Sequence, residues 1–225
     1  MRVAPPRRPG LEARYDEPAM AALIIGIAGG SGSGKTTVVR RLVAGLGADA
    51  TTVVEHDRYY LDRPEATVAE RAAVNYDHPA SLDTALLIAH LNCLRSNTAV
   101  ALPSYDFSEH RRRGATETAL PRAVVIVEGI LVLAEARLRS LMDMKVFVET
   151  DLETRFDRRL RRDVRERGRS PESVREQFAE TVQPMHERYV EPSRQFADIV
   201  IHEGGYNVLA VEGLIDLIFR RLRRP

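Results

Sequence analysis

The run Gly29-Gly30-Ser31-Gly32-Ser33-Gly34-Lys35-Thr36, followed by Thr37, has the spacing G-x-x-x-x-G-K-[ST]. Glycines at these positions let the backbone curl into a nest whose N–H groups point at phosphate oxygens, and the positive end of a following helix adds to the attraction. Lys35 is one of only two lysines among 33 basic residues, the other being Lys145. In a chain so biased toward arginine, a lysine marks a place where a slim ammonium is needed, such as between β- and γ-phosphates. Thr36 would set its hydroxyl on a magnesium ion.

Two carboxylates fall where they could work with this loop. Glu55-His56-Asp57-Arg58-Tyr59-Tyr60 closes one apolar run, and Val127-Glu128-Gly129-Ile130 closes another. Glu128 has the position of a second magnesium-associated acid, and Asp57 could take a proton from an attacking hydroxyl while facing the metal shell. Either acid alone reads as a cap or a surface carboxylate. Together, at strand ends behind a phosphate loop, they favour catalysis.

The elements that must hold these groups are legible as alternating patterns. Leu23 to Ala28 is a continuous apolar run, as expected of a strand buried on both faces, and Thr36 to Leu46 carries a helical stripe of Val38, Val39, Leu42, Val43 and Leu46. Further strands are expected at Thr51–Val54, Ala123–Val127, Lys145–Val148 and Ala197–Ile201. Helices are expected at Ser81–Leu94, Glu135–Leu141, Leu152–Arg167 with Gly168 as its stop, Pro171–Phe196 with interruptions at Pro184 and Pro192, and Asn207–Leu222. Strands alternating with helices predict an α/β fold with a central five-stranded parallel sheet covered on both faces, whose ligands bind beyond the carboxyl ends of the strands.

Composition restricts the rest. The chain has 225 residues, 44% hydrophobic and 29% charged, as in an ordinary globular domain, and its net charge of +1 gives no global pull toward nucleic acid or a membrane. No segment approaches the roughly 20 apolar residues of a membrane span. Cys93, the sole cysteine, falls with Leu82, Leu86 and Ala89 on the expected apolar face of a helix and reads as a structural thiol. Residues 1–19 contain four prolines and no apolar periodicity, predicting a disordered arm ahead of a single domain spanning 20–225, with Met20 as an alternative start. The expected setting is cytoplasmic.

The chain resembles the uridine kinase (uridine-cytidine kinase) family, in the group that also contains phosphoribulokinase and pantothenate kinase. The resemblance runs from about Leu23 to the C-terminus. Beyond the phosphate loop it rests on His56 to Tyr60, on Asn75-Tyr76-Asp77-His78-Pro79 with Asp83, on Pro103 to Arg111, on Glu128-Gly129-Ile130-Leu131, and on Arg162 to Arg169. It implies a P-loop NTPase three-layer fold with a pyrimidine-binding insertion and an Arg-rich helical lid at about 152–180. It further implies a nucleoside acceptor, ATP or GTP as donor, Mg2+, a homotetramer and feedback inhibition by pyrimidine triphosphates.

Carried over by residue, the resemblance implies that Asp57 is the general base for the nucleoside 5′-hydroxyl. Asp77, helped by Arg159, would hold the ribose hydroxyls; Tyr60, Tyr105, Phe107 and His110 would frame the pyrimidine; Gln177 would approach the sugar from the lid. Arginines interleaved with acids between Arg155 and Arg169 read, on composition alone, as a solvated helix face laced by i, i+4 pairs. The resemblance turns Arg162, Arg167 and Arg169 into lid residues that neutralise the transferring phosphoryl group. Tyr76, where family members often carry phenylalanine, leaves room for an added hydroxyl contact. Rival readings are a kinase of ribulose 5-phosphate or pantothenate, whose pockets would not want Tyr105, Phe107 and His110, and a nucleotide-regulated ATPase or switch.

Overall fold

The computed structural model describes residues 21–223. The arm expected over residues 1–19 lies outside them. Five strands form one parallel sheet in the order β2-β5-β1-β6-β7: β1 Leu23–Ala28, β2 Thr51–Glu55, β5 Val124–Glu128, β6 Met144–Glu149 and β7 Ile199–His202. β1 sits in the middle and divides the apolar interior by simple alternation. Ile24 and Ala28 join one cluster with Leu87, Leu91 and Phe147, while Ile25 and Ile27 join another with Val38, Leu42, Leu214 and Ile218. Helices α1 (Lys35–Leu46) and α8 (Val208–Leu222) supply the second cluster, and α3 (Thr84–Arg95) packs on the first. This is the three-layer arrangement expected of a parallel sheet with two apolar faces.

The buried stripe of α3 is Leu87, Leu91 and Leu94, so Ala89 is exposed and Cys93 only half-buried. The helix begins later than Ser81 because Asp83 is its N-cap, its side chain accepting from the Leu86 N–H at 3.1 Å. Between β2 and α3 lies a short helix unmarked in the sequence pattern, α2 (Val68–Ala72), opened by a Thr67–Glu70 capping box. An antiparallel hairpin, β3 (Val100–Asp106) with β4 (Arg111–Ala119), forms a separate two-stranded sheet. Pro103 hides it from a strand search, yet it is tolerated because the register breaks between Leu102 and Ser104.

Helix α5 runs Leu152–Arg167 and ends at Gly168 in the left-handed region, as expected. In the segment after it the α geometry is interrupted around both prolines, as expected, yet the chain stays helical. Pro184 and Pro192 do not break the helical path: α6 (Pro171–Gln177), a π turn over Phe178–Val182, α7 (Gln183–Met185), a second π turn over His186–Val190 and a 3-10 stretch over Glu191–Phe196 follow without a gap. A wider turn accommodates the missing N–H and the ring of Pro184 without stopping the chain. Among the described residues no helix is long and apolar enough to cross a membrane. α4 (Ala136–Arg139) completes the helices.

Candidate active site

The phosphate loop leaves the carboxyl end of central β1 and enters α1 at Gly34. No side chain caps α1, so its leading N–H groups stay open to a ligand. Two glycines explain why the loop can take this path. Gly32 has φ +79 and a Cβ there would lie 2.2 Å from the Arg155 carbonyl oxygen; Gly29 has φ +143 and would meet the Val148 carbonyl oxygen at 2.3 Å. Lys35 folds back over the loop, its Nζ donating to the carbonyls of Gly29 at 3.0 Å and Gly30 at 3.1 Å. Burial lowers the Lys35 pKa, and the nearby Glu128 and Asp57 carboxylates oppose that fall. Lys145, by contrast, merely pairs with Asp198.

Strand register delivers the acids. Glu55 pairs with Glu128, and Glu128 pairs with Ile27, so both acidic strand ends reach the level at which β1 turns into the loop. Asp57 follows in a single 3-10 turn, His56–Tyr59. Burial raises the pKa of Glu128, with Lys35 opposing and Asp57 reinforcing the shift, and Thr36 hydrogen-bonds its side chain. Glu128 Oε2 is buried with no hydrogen-bond partner. An orphaned carboxylate oxygen beside a threonine hydroxyl fits a hard cation. Among the described residues no group of three His, Cys, Asp or Glu is placed to hold a metal ion.

One cavity of about 980 Å³ joins the loop to the predicted acceptor pocket. Its walls include Ser31, Lys35, Thr36, Asp57, Glu128 and also Tyr60, Asp77, Tyr105, Phe107, His110 and Gln177. The aromatic wall is built by edge-to-face contacts of Tyr60 with Tyr76 at 5.0 Å and of Tyr105 with Phe107 at 5.3 Å, joined by a tilted Tyr60–Tyr105 contact at 5.2 Å. Tyr60 and Tyr105 are also core residues, while Phe107 is exposed with the Arg167 guanidinium 5.2 Å from its ring. His110, at the hairpin end with φ +50, stacks on Tyr76 at 4.8 Å. Burial, followed by Arg169 and Arg71, lowers the His110 pKa and favours its neutral form. Tyr76 has the extra hydroxyl contact its identity allows, donating to the Arg71 carbonyl at 3.0 Å.

Asp77 is buried, which raises its pKa; Arg159 pulls the other way. Arg159 does more than accompany Asp77. Its Nη1 donates to Ser31 Oγ at 2.9 Å and its Nη2 to Gln177 Oε1 at 2.9 Å, tying the lid to the phosphate loop. Gln177 also accepts from Arg169. Arg162, Arg167 and Arg169 all reach the cavity. Only the outer side of the helix is a solvated face, where Arg161 pairs with Asp157; on the inner side Arg155, Arg159 and Asp163 are buried, and Asp163 is completely so.

Sequence reasoning missed three groups here. Asp163 is the anion around which the lid arginines gather, with Arg162 at 2.8 Å, Arg159 at 3.5 Å, Arg167 at 3.6 Å and Arg169 at 3.7 Å. Arg155 lies under the loop beside Gly30, its Nη2 donating to Gln183 Oε1 at 3.0 Å. Arg158 lines the cavity next to Gly34. The spacing 155-159-163 was the available signal, because i, i+4, i+8 marks one helix face.

A family model described as the Phosphoribulokinase / Uridine kinase family matches residues 24–210. A protein named uridine kinase from Chloroflexus aggregans is 49% identical over 196 residues, covering 87% of this chain and 94% of its own length. One of the same name from Deinococcus deserti is 46% identical over 200 residues, covering 89% and 95%. Among solved structures, D-glycerate 3-kinase from Cryptococcus neoformans superposes with a TM-score of 0.59 at 18% identity, covering 85% of this chain and 90% of that one. A structure described as a possible uridine kinase from Bacillus stearothermophilus gives 0.55 at 19% identity, covering 83% and 91%. At such identities the structural likeness speaks for the fold alone.

Proposed function

The chain belongs to the Phosphoribulokinase / Uridine kinase family, and we propose that it transfers the γ-phosphoryl group of ATP or GTP to the 5′-hydroxyl of uridine, and of cytidine, in pyrimidine salvage. The observation that carries this reading is one cavity shared by the phosphate loop and an aromatic pocket, with Asp57 in its wall and electrostatically coupled to both Lys35 and Tyr60.

The loop backbone and Lys35 hold the donor phosphates. Asp77 accepts from the adjacent ribose hydroxyls, an arrangement a carboxylate suits because it offers only acceptors. Tyr60, Tyr105 and Phe107 border the flat base, and neutral His110 reads its edge as donor or acceptor by choice of tautomer. Asp57 takes the 5′-hydroxyl proton as that oxygen bonds to the γ-phosphorus; the bond from phosphorus to the β–γ bridging oxygen breaks, and the nucleoside diphosphate leaves. A magnesium ion, for which Thr36, Glu128 and Asp57 are the residues in place, supplies neutralisation of phosphate charge when bound. Arg162, Arg167 and Arg169 stabilise the charge on the group in transit, and the lid excludes water.

The family reading extends to a homotetramer, to inhibition by pyrimidine triphosphates and to a cytoplasmic setting. The deciding experiment is a phosphorylation assay over uridine, cytidine, purine nucleosides, pantothenate and ribulose 5-phosphate. Uridine and cytidine should be the substrates. A preference for adenosine or for ribulose 5-phosphate would overturn the reading, as would release of ADP with no phosphorylated acceptor.

A further inference from the structure

Asp77 sits in a turn braced by its own neighbours. Its N–H donates to Asn75 Oδ1 at 3.1 Å, and the Ser81 hydroxyl reaches the Tyr76 and His78 carbonyls at 3.1 and 2.7 Å. The side chain of His78, the next residue, leaves this turn for another element. Its Nδ1 accepts from the Ala80 N–H at 3.1 Å, so the neutral ring carries its proton on Nε2, which lies 2.9 Å from the Tyr189 hydroxyl. The two rings meet edge to face at 5.1 Å. Tyr189 itself is half-buried against the apolar cluster that holds Leu87 and Phe147.

This inference rests on the kinase reading and deepens it at the acceptor end. Tyr189 belongs to the second π turn, on the same unbroken helical path that begins with α6 and carries Gln177 to the cavity wall. Gln177 is held by Arg159, the counter-charge of Asp77. The path thus reaches the acceptor wall twice, through Gln177 and through Tyr189. We propose that Tyr189 is a positioning residue: its hydroxyl fixes the His78 ring, and through the adjoining backbone it fixes the direction in which Asp77 presents its carboxylate to the hydroxyls of the acceptor. A ring bonded at both nitrogens is held in one orientation, and a single peptide unit separates it from Asp77. The residue touches no substrate and acts only through His78.

The test compares the full chain with Tyr189→Phe, His78→Asn and the double variant. Tyr189→Phe keeps the ring and removes only the hydroxyl, while His78→Asn keeps an acceptor for the Ala80 N–H but is too short to reach Tyr189. Each single change should raise KM for uridine by about 3- to 10-fold, the worth of one hydrogen bond, with kcat and KM for ATP within about twofold of the parent. The double variant should be no worse than either single one, because both remove the same link. An unchanged uridine KM in Tyr189→Phe overturns the proposal, as does an equal rise in KM for ATP or a multiplied loss in the double variant. Amide hydrogen exchange of residues 75–81, followed with no nucleoside present, should be faster in Tyr189→Phe, and unchanged exchange overturns the proposal too. If the parent phosphorylates no ribonucleoside while exchange quickens as expected, the acceptor reading falls and the hold of Tyr189 on the Asp77 turn stands.

Discussion

Arg162 Nη2 lies 2.8 Å from Oδ1 of Asp163, its neighbour in sequence, whose side chain is wholly buried. Arg159, Arg167 and Arg169 surround the same carboxylate. Four guanidiniums share one anion, leaving an excess of positive charge on the cavity wall that all four line. Without the carboxylate, like charges would push apart and the cage would lose its shape.

Asp163→Asn should therefore slow turnover by about 10- to 100-fold at saturating substrates, since small misplacements of positioning groups cost that much. Steady-state kinetics on a variant shown by circular dichroism to be folded would check it. A kcat within about twofold of the parent would mean that the arginines hold their places unaided.

Asp57→Asn should lower turnover by about 10² to 10⁴ while leaving donor binding intact, as removal of a general base does. Near-normal turnover would take Asp57 out of the mechanism.

Lys35→Arg should cost at least about 10-fold in turnover, because a branched planar guanidinium does not fit where Lys35 Nζ bonds the Gly29 and Gly30 carbonyls. Full activity in this variant would separate the lysine from phosphate binding.

His110→Ala should raise KM for uridine and cytidine by about 5- to 20-fold, the worth of a good hydrogen bond, and leave KM for ATP unchanged. Equal effects on nucleoside and donor would place His110 outside the acceptor pocket.

His56 is buried, which lowers its pKa from 6.5 to about 4. The unfolded chain therefore binds this proton more readily than the native protein does between those values. Stability from this group is complete above about pH 6.5 and declines as pH falls toward 4, by on the order of 3 kcal/mol in all. Thermal unfolding of the parent and of His56→Asn across pH 7 to 4 would test it. The variant should lose less stability on acidification, and parallel curves would assign the acid sensitivity elsewhere.

The phosphate loop, the five sheet strands and the limits of α5 could all be read in the sequence, because each is a local matter. Glycine spacing, continuous β-branched runs and a stop at Gly168 act over a few residues. The positions of Glu128 and Asp57 were legible for the same reason, Glu128 being the end of such a run and Asp57 lying in the single turn after another. What only the tertiary structure decided depends on partners far apart in the chain. The β3–β4 hairpin holds because its strands and the Tyr60–Tyr105 contact close it against residues some forty positions away, not because its own pattern is strong. The π turns around Pro184 are likewise a compromise with packing. Asp163 and Arg159 looked like ordinary solvated helix charges; burial became tolerable only when folding set them against each other, Ser31 and Gln177. A buried charge is costly unless its partners arrive with it, and whether they arrive is settled by the fold.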